Sequence, residues 1–255
     1  MTELSGAHAD LLATVPEPTD FTVETADVDY RQDGSALRGY LARPSAGANG
    51  VGVLIVHDWF GVADTAIMRA QMLARLGYVA FAADIFGADT RPTPEQAPEV
   101  AGSFYGDPDL TRARAAAGLE QLLAQPGVDR HRVVVIGYCF GGFVALELAR
   151  TGADVAGTVT FHGSLKSDRP QEARNIRGKV LVLTGSNDPI VPDEEIADFV
   201  AAMRDGQVAD WQVHLYSGVQ HAFTVPGSNH PPAVYDATAD RRSWAALLDF
   251  LGEFD

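Results

Sequence analysis

Residues 135–142 read V-I-G-Y-C-F-G-G and contain the only cysteine in the chain. A free cysteine is commonly a small buried hydrophobe, so the residue type alone says little. Its neighbours say more. An aliphatic run from Val133 to Ile136 stops at Gly137, and the sequence after Gly142 reads as a helix up to Arg150. A buried strand thus turns straight into a helix, and the turn has the pattern G-x-C-x-G. Such a turn is tight and strained. Gly137 and Gly141 are required because a side chain there collides with the neighbouring strand or helix. Cys139 is lifted to the carboxyl edge of a sheet at a helix N-terminus, where the helix dipole favours an anion.

Working outward, the same alternation continues. Residues 51–56 and 78–83 are continuous apolar runs, as expected of strands buried on both faces. Between them Ile67, Met68, Met72, Leu73 and Leu76 recur at helical spacing, with Asp64 placed to cap and Gly77 to stop the helix. Further strands are predicted over 133–136, 155–161, 180–184 and 211–216, and helices over 110–124, 142–150, 194–203 and 237–250. Residues 86–106 are rich in Pro, Gly and Asp and longer than a usual connection, which predicts a binding loop with short helices. Upstream, residues 21–31 and 37–42 read as a hairpin around Gln32-Asp33-Gly34. The alternation predicts an α/β fold: a mostly parallel central sheet with helices on both faces. Residues 21–255 are expected to form one domain, preceded by an N-terminal arm over residues 1–20.

Composition narrows the function. Of 255 residues, 46% are hydrophobic and 21% charged, as in an ordinary globular protein. The net charge of −15 disfavours nucleic acid and anionic lipid as partners. A single cysteine forms no internal disulfide, the first 21 residues lack a basic, apolar leader, and no run reaches the ~20 apolar residues of a membrane span. A cytoplasmic monomer or homodimer acting on a small molecule, without membrane partner, is expected.

A cysteine nucleophile needs a base, and the base an orienting group. Downstream, L-T-G-S-N-D-P-I-V-P places Asp188 in a loop after a buried strand, and Y-S-G-V-Q-H-A-F places His221 in a loop after the last strand. Alone, Asp188 reads as a turn residue before proline and His221 as a loop histidine. Together, in the order nucleophile, acid, histidine, they match α/β-hydrolase triads and differ from the orders of chymotrypsin-like and subtilisin-like proteases. His57 and His162 also end apparent strands and are placed to line the same cleft. No HExxH, paired cysteines or phosphate-cradling glycine loop is present, so no metal or cofactor is expected.

With these residues in hand, the chain from about residue 21 onward resembles the dienelactone hydrolase family of α/β-hydrolases. The most specific pieces are G-Y-C-F-G-G, the G-S-N-D loop, G-x-x-H-A-F, and H-D-W-F-G at residues 57–61. The resemblance implies Cys139 as nucleophile, His221 as base, Asp188 as its orienting acid, and the backbone N–H groups of Phe140 and Trp59 as oxyanion hole. It also implies a nucleophile-activating role for Asp58, where the family carries glutamate. Two arginines that hold the lactone carboxylate in the family fall on Ala88 and Val225, so dienelactone itself is not assumed as substrate. Arg91 lies near the first of these places. Phe60, Phe86, Tyr138 and Phe223 are further pocket candidates. The implied chemistry is hydrolysis of an ester or lactone through a covalent thioester. A general carboxylesterase or thioesterase with an apolar pocket, and a non-enzymatic or redox-sensing cysteine scaffold, remain open at this point.

Overall fold

Asp33 and Gly34 both adopt positive φ, 44° and 82°, the geometry of a two-residue hairpin turn whose twist suits the flanking strands. They join β1 (Val23–Gln32) to β2 (Ser35–Pro44) in antiparallel register, from Gln32 opposite Ser35 to Val23 opposite Pro44. The computed structural model describes Leu4 and residues 6–255. Their contacts divide into two units, one running to Val133 and including Asp255, the other Val134–Phe254.

In the first unit, β3 (Gly50–Val56) and β4 (Val79–Ala83) continue the sheet in the order β1-β2-β4-β3. β4 pairs antiparallel with β2 and parallel with β3. Beyond Gly50 every residue of β3 and β4 is buried, which is why they read as unbroken apolar runs rather than alternating ones.

The expected arm contains a helix, α1 (Gly6–Leu12). Arg75 fixes the segment behind it, donating to the carbonyls of Leu12 at 3.1 Å and Val15 at 2.7 Å and pairing with Glu17. Helix α2 (Asp64–Arg75) corrects one expectation: its N-cap is Ala63, and Asp64 lies inside the first turn without capping. A carboxylate there still complements the helix dipole. Gly77, at φ 94°, ends the helix as expected, with Tyr78 N–H donating to Leu73 and Gly77 N–H to Ala74. The long 86–106 segment contains α3 (Ala97–Tyr105). α4 (Pro108–Leu123) follows, capped by Asp107, which accepts from Leu110 N–H at 3.0 Å.

Strand β5 (Val128–Tyr138) is longer than its apolar run because its first residues are exposed. It carries the chain into the second unit, where the order is β5-β6-β7-β8, all parallel. These are β6 (Gly157–Phe161), β7 (Lys179–Gly185) and β8 (Trp211–Tyr216). Helix α5 (Phe140–Arg150) begins directly after Cys139 and is buried throughout, including an ion pair between Glu147 and Arg150 at 2.8 Å. Leu146 and Ala149 of α5 pack with Val180 and Val182 of β7 and with Phe199 and Met203 of α6 (Asp193–Asp205). A two-stranded ribbon, β9 (Asn229–His230) and β10 (Ala233–Val234), precedes α7 (Ala237–Gly252). Asp236 caps α7, accepting from Thr238 and Ala239 N–H at 2.9 and 2.8 Å. The fold is α/β with a mostly parallel sheet. Among the described residues no helix is long and apolar enough to cross a membrane.

Candidate active site

The turn after β5 is as tight as its glycines require. A Cβ on Gly137 would lie 1.9 Å from the Gly141 carbonyl oxygen, and one on Gly142 would lie 2.1 Å from Thr160 Oγ1. With those positions bare, Cys139 takes φ 55° and ψ −116°, a region that L side chains avoid. Its N–H donates to the Phe161 carbonyl at 3.0 Å, tying the strained residue to the end of β6. Cys139 is partly exposed, and Phe140 opens α5 immediately after it.

The loops bearing the other two residues are joined to each other. Asn187 N–H donates to Val219 at 2.9 Å and Gly218 N–H to Ser186 Oγ at 2.8 Å. Gly185 permits this approach, since a Cβ there would meet the Val219 carbonyl oxygen at 2.2 Å. The ribbon contributes as well: Val234 N–H donates to the His221 carbonyl at 2.9 Å, and Asp236 N–H to Phe223 at 3.1 Å.

These ties bring Cys139, Asp188 and His221 together. His221 Nε2 lies 3.1 Å from Cys139 Sγ, and His221 Nδ1 lies 2.8 Å from Asp188 Oδ2. The other Asp188 oxygen accepts from Ile190 N–H at 2.8 Å and Val191 N–H at 3.3 Å. One carboxylate oxygen is thus held by backbone while the other is aimed at the imidazole. Burial opposes charge on His221, but Cys139 and the Asp188 carboxylate outweigh it, and the ring is pushed up to about 10.

His162 packs edge-on against His221, ring centres 5.0 Å apart, with Phe223 5.1 Å away on another side. His162 Nε2 is 2.7 Å from Thr224 Oγ1. One ligand-type atom each from Cys139, His162 and His221 lies within 4.8 Å of the others. Thr224 carried no signal in the sequence beyond following H-A-F. Tyr138 stacks on Phe161 with ring centres 4.5 Å apart and is buried. A cavity of about 750 Å³ in this unit is lined by Arg150, Lys166, Glu195 and Phe199 among others, and by none of Cys139, Asp188 and His221.

The remaining candidates belong to the first unit. Asp58 is buried and accepts from Phe60 N–H at 2.9 Å. Burial pushes its carboxyl up to about 6. His57 is held neutral: burial lowers it to about 4, its Nε2 accepts from Ile85 N–H at 3.1 Å, and its Nδ1 donates to the Asp58 carbonyl at 2.7 Å. Trp59 has its indole nitrogen buried, and Phe60 is exposed. Phe86 packs between His57 and Phe104, ring centres 4.6 and 5.3 Å away. Arg91 braces its own loop, donating to the carbonyls of Val62 at 3.0 Å and Thr90 at 2.8 Å.

The dienelactone hydrolase family profile matches residues 37–255. The chain is 27% identical to "Protein usf" of Aquifex pyrophilus, covering 89% of this chain and 97% of that protein. It is 24% identical to a putative carboxymethylenebutenolidase of Salmonella typhimurium, covering 97% and 94%. Among solved structures it is similar to a dienelactone hydrolase-like promiscuous phosphotriesterase from metagenomic libraries, with 38% identity, a TM-score of 0.87, and 91% and 98% coverage. The chain belongs to the dienelactone hydrolase family, and with it to the hydrolases that act on esters and lactones.

Proposed function

We propose that Cys139, His221 and Asp188 act as nucleophile, base and orienting acid in a two-step hydrolysis of an uncharged ester or lactone. The single observation that carries this is the relay from Sγ to Nε2 at 3.1 Å and from Nδ1 to Oδ2 at 2.8 Å, set behind a backbone-strained cysteine. His221 holds the proton of the Cys139 thiol, and the sulfur attacks the carbonyl carbon. The N–H of Phe140, which opens α5 directly after Cys139, receives the oxyanion, a donor worth about 3–4 kcal/mol in such sites. Collapse breaks the carbon–oxygen bond, and His221 returns the proton to the leaving alkoxide. Water, giving its proton to His221, then splits the thioester and releases the acid.

An uncharged substrate is favoured because Ala88 and Val225 stand where the family places arginines, and a buried carboxylate without a positive partner is costly. Arg91, engaged with backbone carbonyls, does not replace them. A second reading, phosphotriester hydrolysis by the same nucleophile, is favoured by the 38% identity to the metagenomic phosphotriesterase.

Stopped-flow hydrolysis of 4-nitrophenyl acetate and butyrate, an uncharged lactone, dienelactone and a 4-nitrophenyl phosphotriester tests both readings. The expected result is a burst of about one product per chain that disappears in Cys139→Ala, with turnover largely lost in His221→Ala. Equal rates for wild type and Cys139→Ala on every substrate would overturn the covalent mechanism.

A further inference from the structure

We propose that Cys139, His162 and His221 form a binding site for one thiophilic divalent cation of the zinc–cadmium class, and that its binding blocks the nucleophile. The binding rests on the cluster's geometry alone; the inhibitory consequence rests on the hydrolase reading above.

The donor set is one sulfur and two imidazoles, which suits a borderline-soft cation that prefers tetrahedral coordination. With metal–nitrogen distances of about 2.0–2.1 Å and metal–sulfur of about 2.3 Å, tetrahedral ligand atoms stand about 3.3–3.5 Å apart. Sγ and His221 Nε2 are already 3.1 Å apart, and the whole trio lies within 4.8 Å. From separations of at most 4.8 Å, closure by roughly 1 Å brings the three donors to coordination distance.

The surroundings are those of a supported site. Asp188 holds the far nitrogen of His221, the carboxylate–histidine arrangement that fixes ring orientation and strengthens a ligand. Thr224 Oγ1 holds Nε2 of His162 at 2.7 Å, so coordination through Nδ1 keeps that bond. Both histidines are buried and Cys139 is partly exposed, so solvent reaches the cluster from the sulfur side and supplies the fourth ligand as water. The reaction balances without an oxidant. One metal–sulfur and two metal–nitrogen bonds form, and the one proton shared by Sγ and Nε2 leaves to solvent. The bound sulfur no longer has its electron pair available for a carbonyl, and His221 no longer has a nitrogen to receive a proton.

The test uses cadmium on the whole chain, with histidine labelled with ¹⁵N. Competition against a chromophoric chelator gives stoichiometry and affinity. Ultraviolet thiolate-to-cadmium absorption reports the sulfur, and ¹¹³Cd–¹⁵N couplings count the histidines. The expected result is one cadmium per chain, a thiolate band, two coupled histidines, loss of ester turnover in proportion to occupancy, and full recovery on adding chelator. His162→Gln should weaken binding by at least about 10-fold. A missing thiolate band, a single coupled histidine, or undiminished affinity in Cys139→Ala would overturn the site, and the coupling count holds even where His162→Gln fails to fold. Cadmium bound as described to a chain without ester turnover leaves the site standing and removes the hydrolase reading. An acyl-enzyme burst indifferent to saturating cadmium does the reverse.

Discussion

At the scale of single residues, Asp188 has the clearest division of labour. One oxygen accepts two backbone N–H groups and the other faces His221. Asp188→Asn keeps the shape and can keep the backbone bonds, but an amide presents the imidazole with a neutral group and allows the wrong ring tautomer. Ester turnover should fall by roughly 10²–10⁴-fold in kcat with little change in thermal stability, measured by steady-state kinetics beside calorimetry. Asp58 offers the opposite experiment. Its carboxyl titrates at about 6 in the fold against 3.8 when unperturbed, because burial disfavours the charge. Below about pH 4 the group is neutral in both states. Its charging penalty sets in between 3.8 and about 6 and persists above that range. Asp58→Asn should therefore stabilise the fold at pH 8 by at most roughly 3 kcal/mol and flatten this part of the stability profile. Denaturant unfolding across pH checks both. Loss of ester turnover alongside the gain would fit a carboxylate kept for chemistry rather than stability.

At the scale of elements, the site depends on where backbone meets backbone. Gly142 of α5 lies against Thr160 of β6 with no room for a methyl group. Gly142→Ala would push the helix from the strand or rotate Thr160, and should destabilise by about 1–3 kcal/mol. The same shift would lengthen the contact between Cys139 and His221, so turnover per folded molecule should fall as well. Thermal unfolding and burst amplitude, measured together, separate the two effects. Elements differ in how plainly the sequence states them. The turn at Cys139 was legible because its close contacts exclude side chains and so demand glycine. β3 and β4 were legible as apolar runs because they are buried on both faces. The ribbon β9–β10 was not, since two-residue strands have no periodicity. Asp64 was misplaced by one residue because a carboxylate suits both the cap and the first turn, and only the backbone angles decide between them.

At the scale of the whole molecule, the trio comes from loops after three different strands, and parallel topology delivers such loops to one sheet edge. That is why loops that follow strands, taken in chain order, pointed to Asp188 and His221. The pairing of His162 with Thr224 spans 62 residues and leaves no local pattern, so it emerged only from the fold. How the N-terminal arm is held was not legible for a related reason: Arg75, which binds it, looks like an ordinary surface cation in the sequence. Removing residues 1–18 would strip Arg75 of its carbonyl acceptors at Leu12 and Val15 and expose the apolar surface that both residues cover. A loss of about 2–4 kcal/mol is expected, offset in part by the arm's entropy. Turnover per folded molecule should be unchanged, as the arm precedes the family match beginning at residue 37.

The backbone at Cys139, with φ 55° and ψ −116°, is a conformation that glycine adopts freely and cysteine does not. The fold therefore carries a mechanical preload at the residue proposed as nucleophile. Cys139→Gly should release it and yield a chain about 1–2 kcal/mol more stable than Cys139→Ala, although both lack the sulfur. The sulfur is thus kept against a standing thermodynamic pull toward glycine, as a side chain retained for chemistry would be.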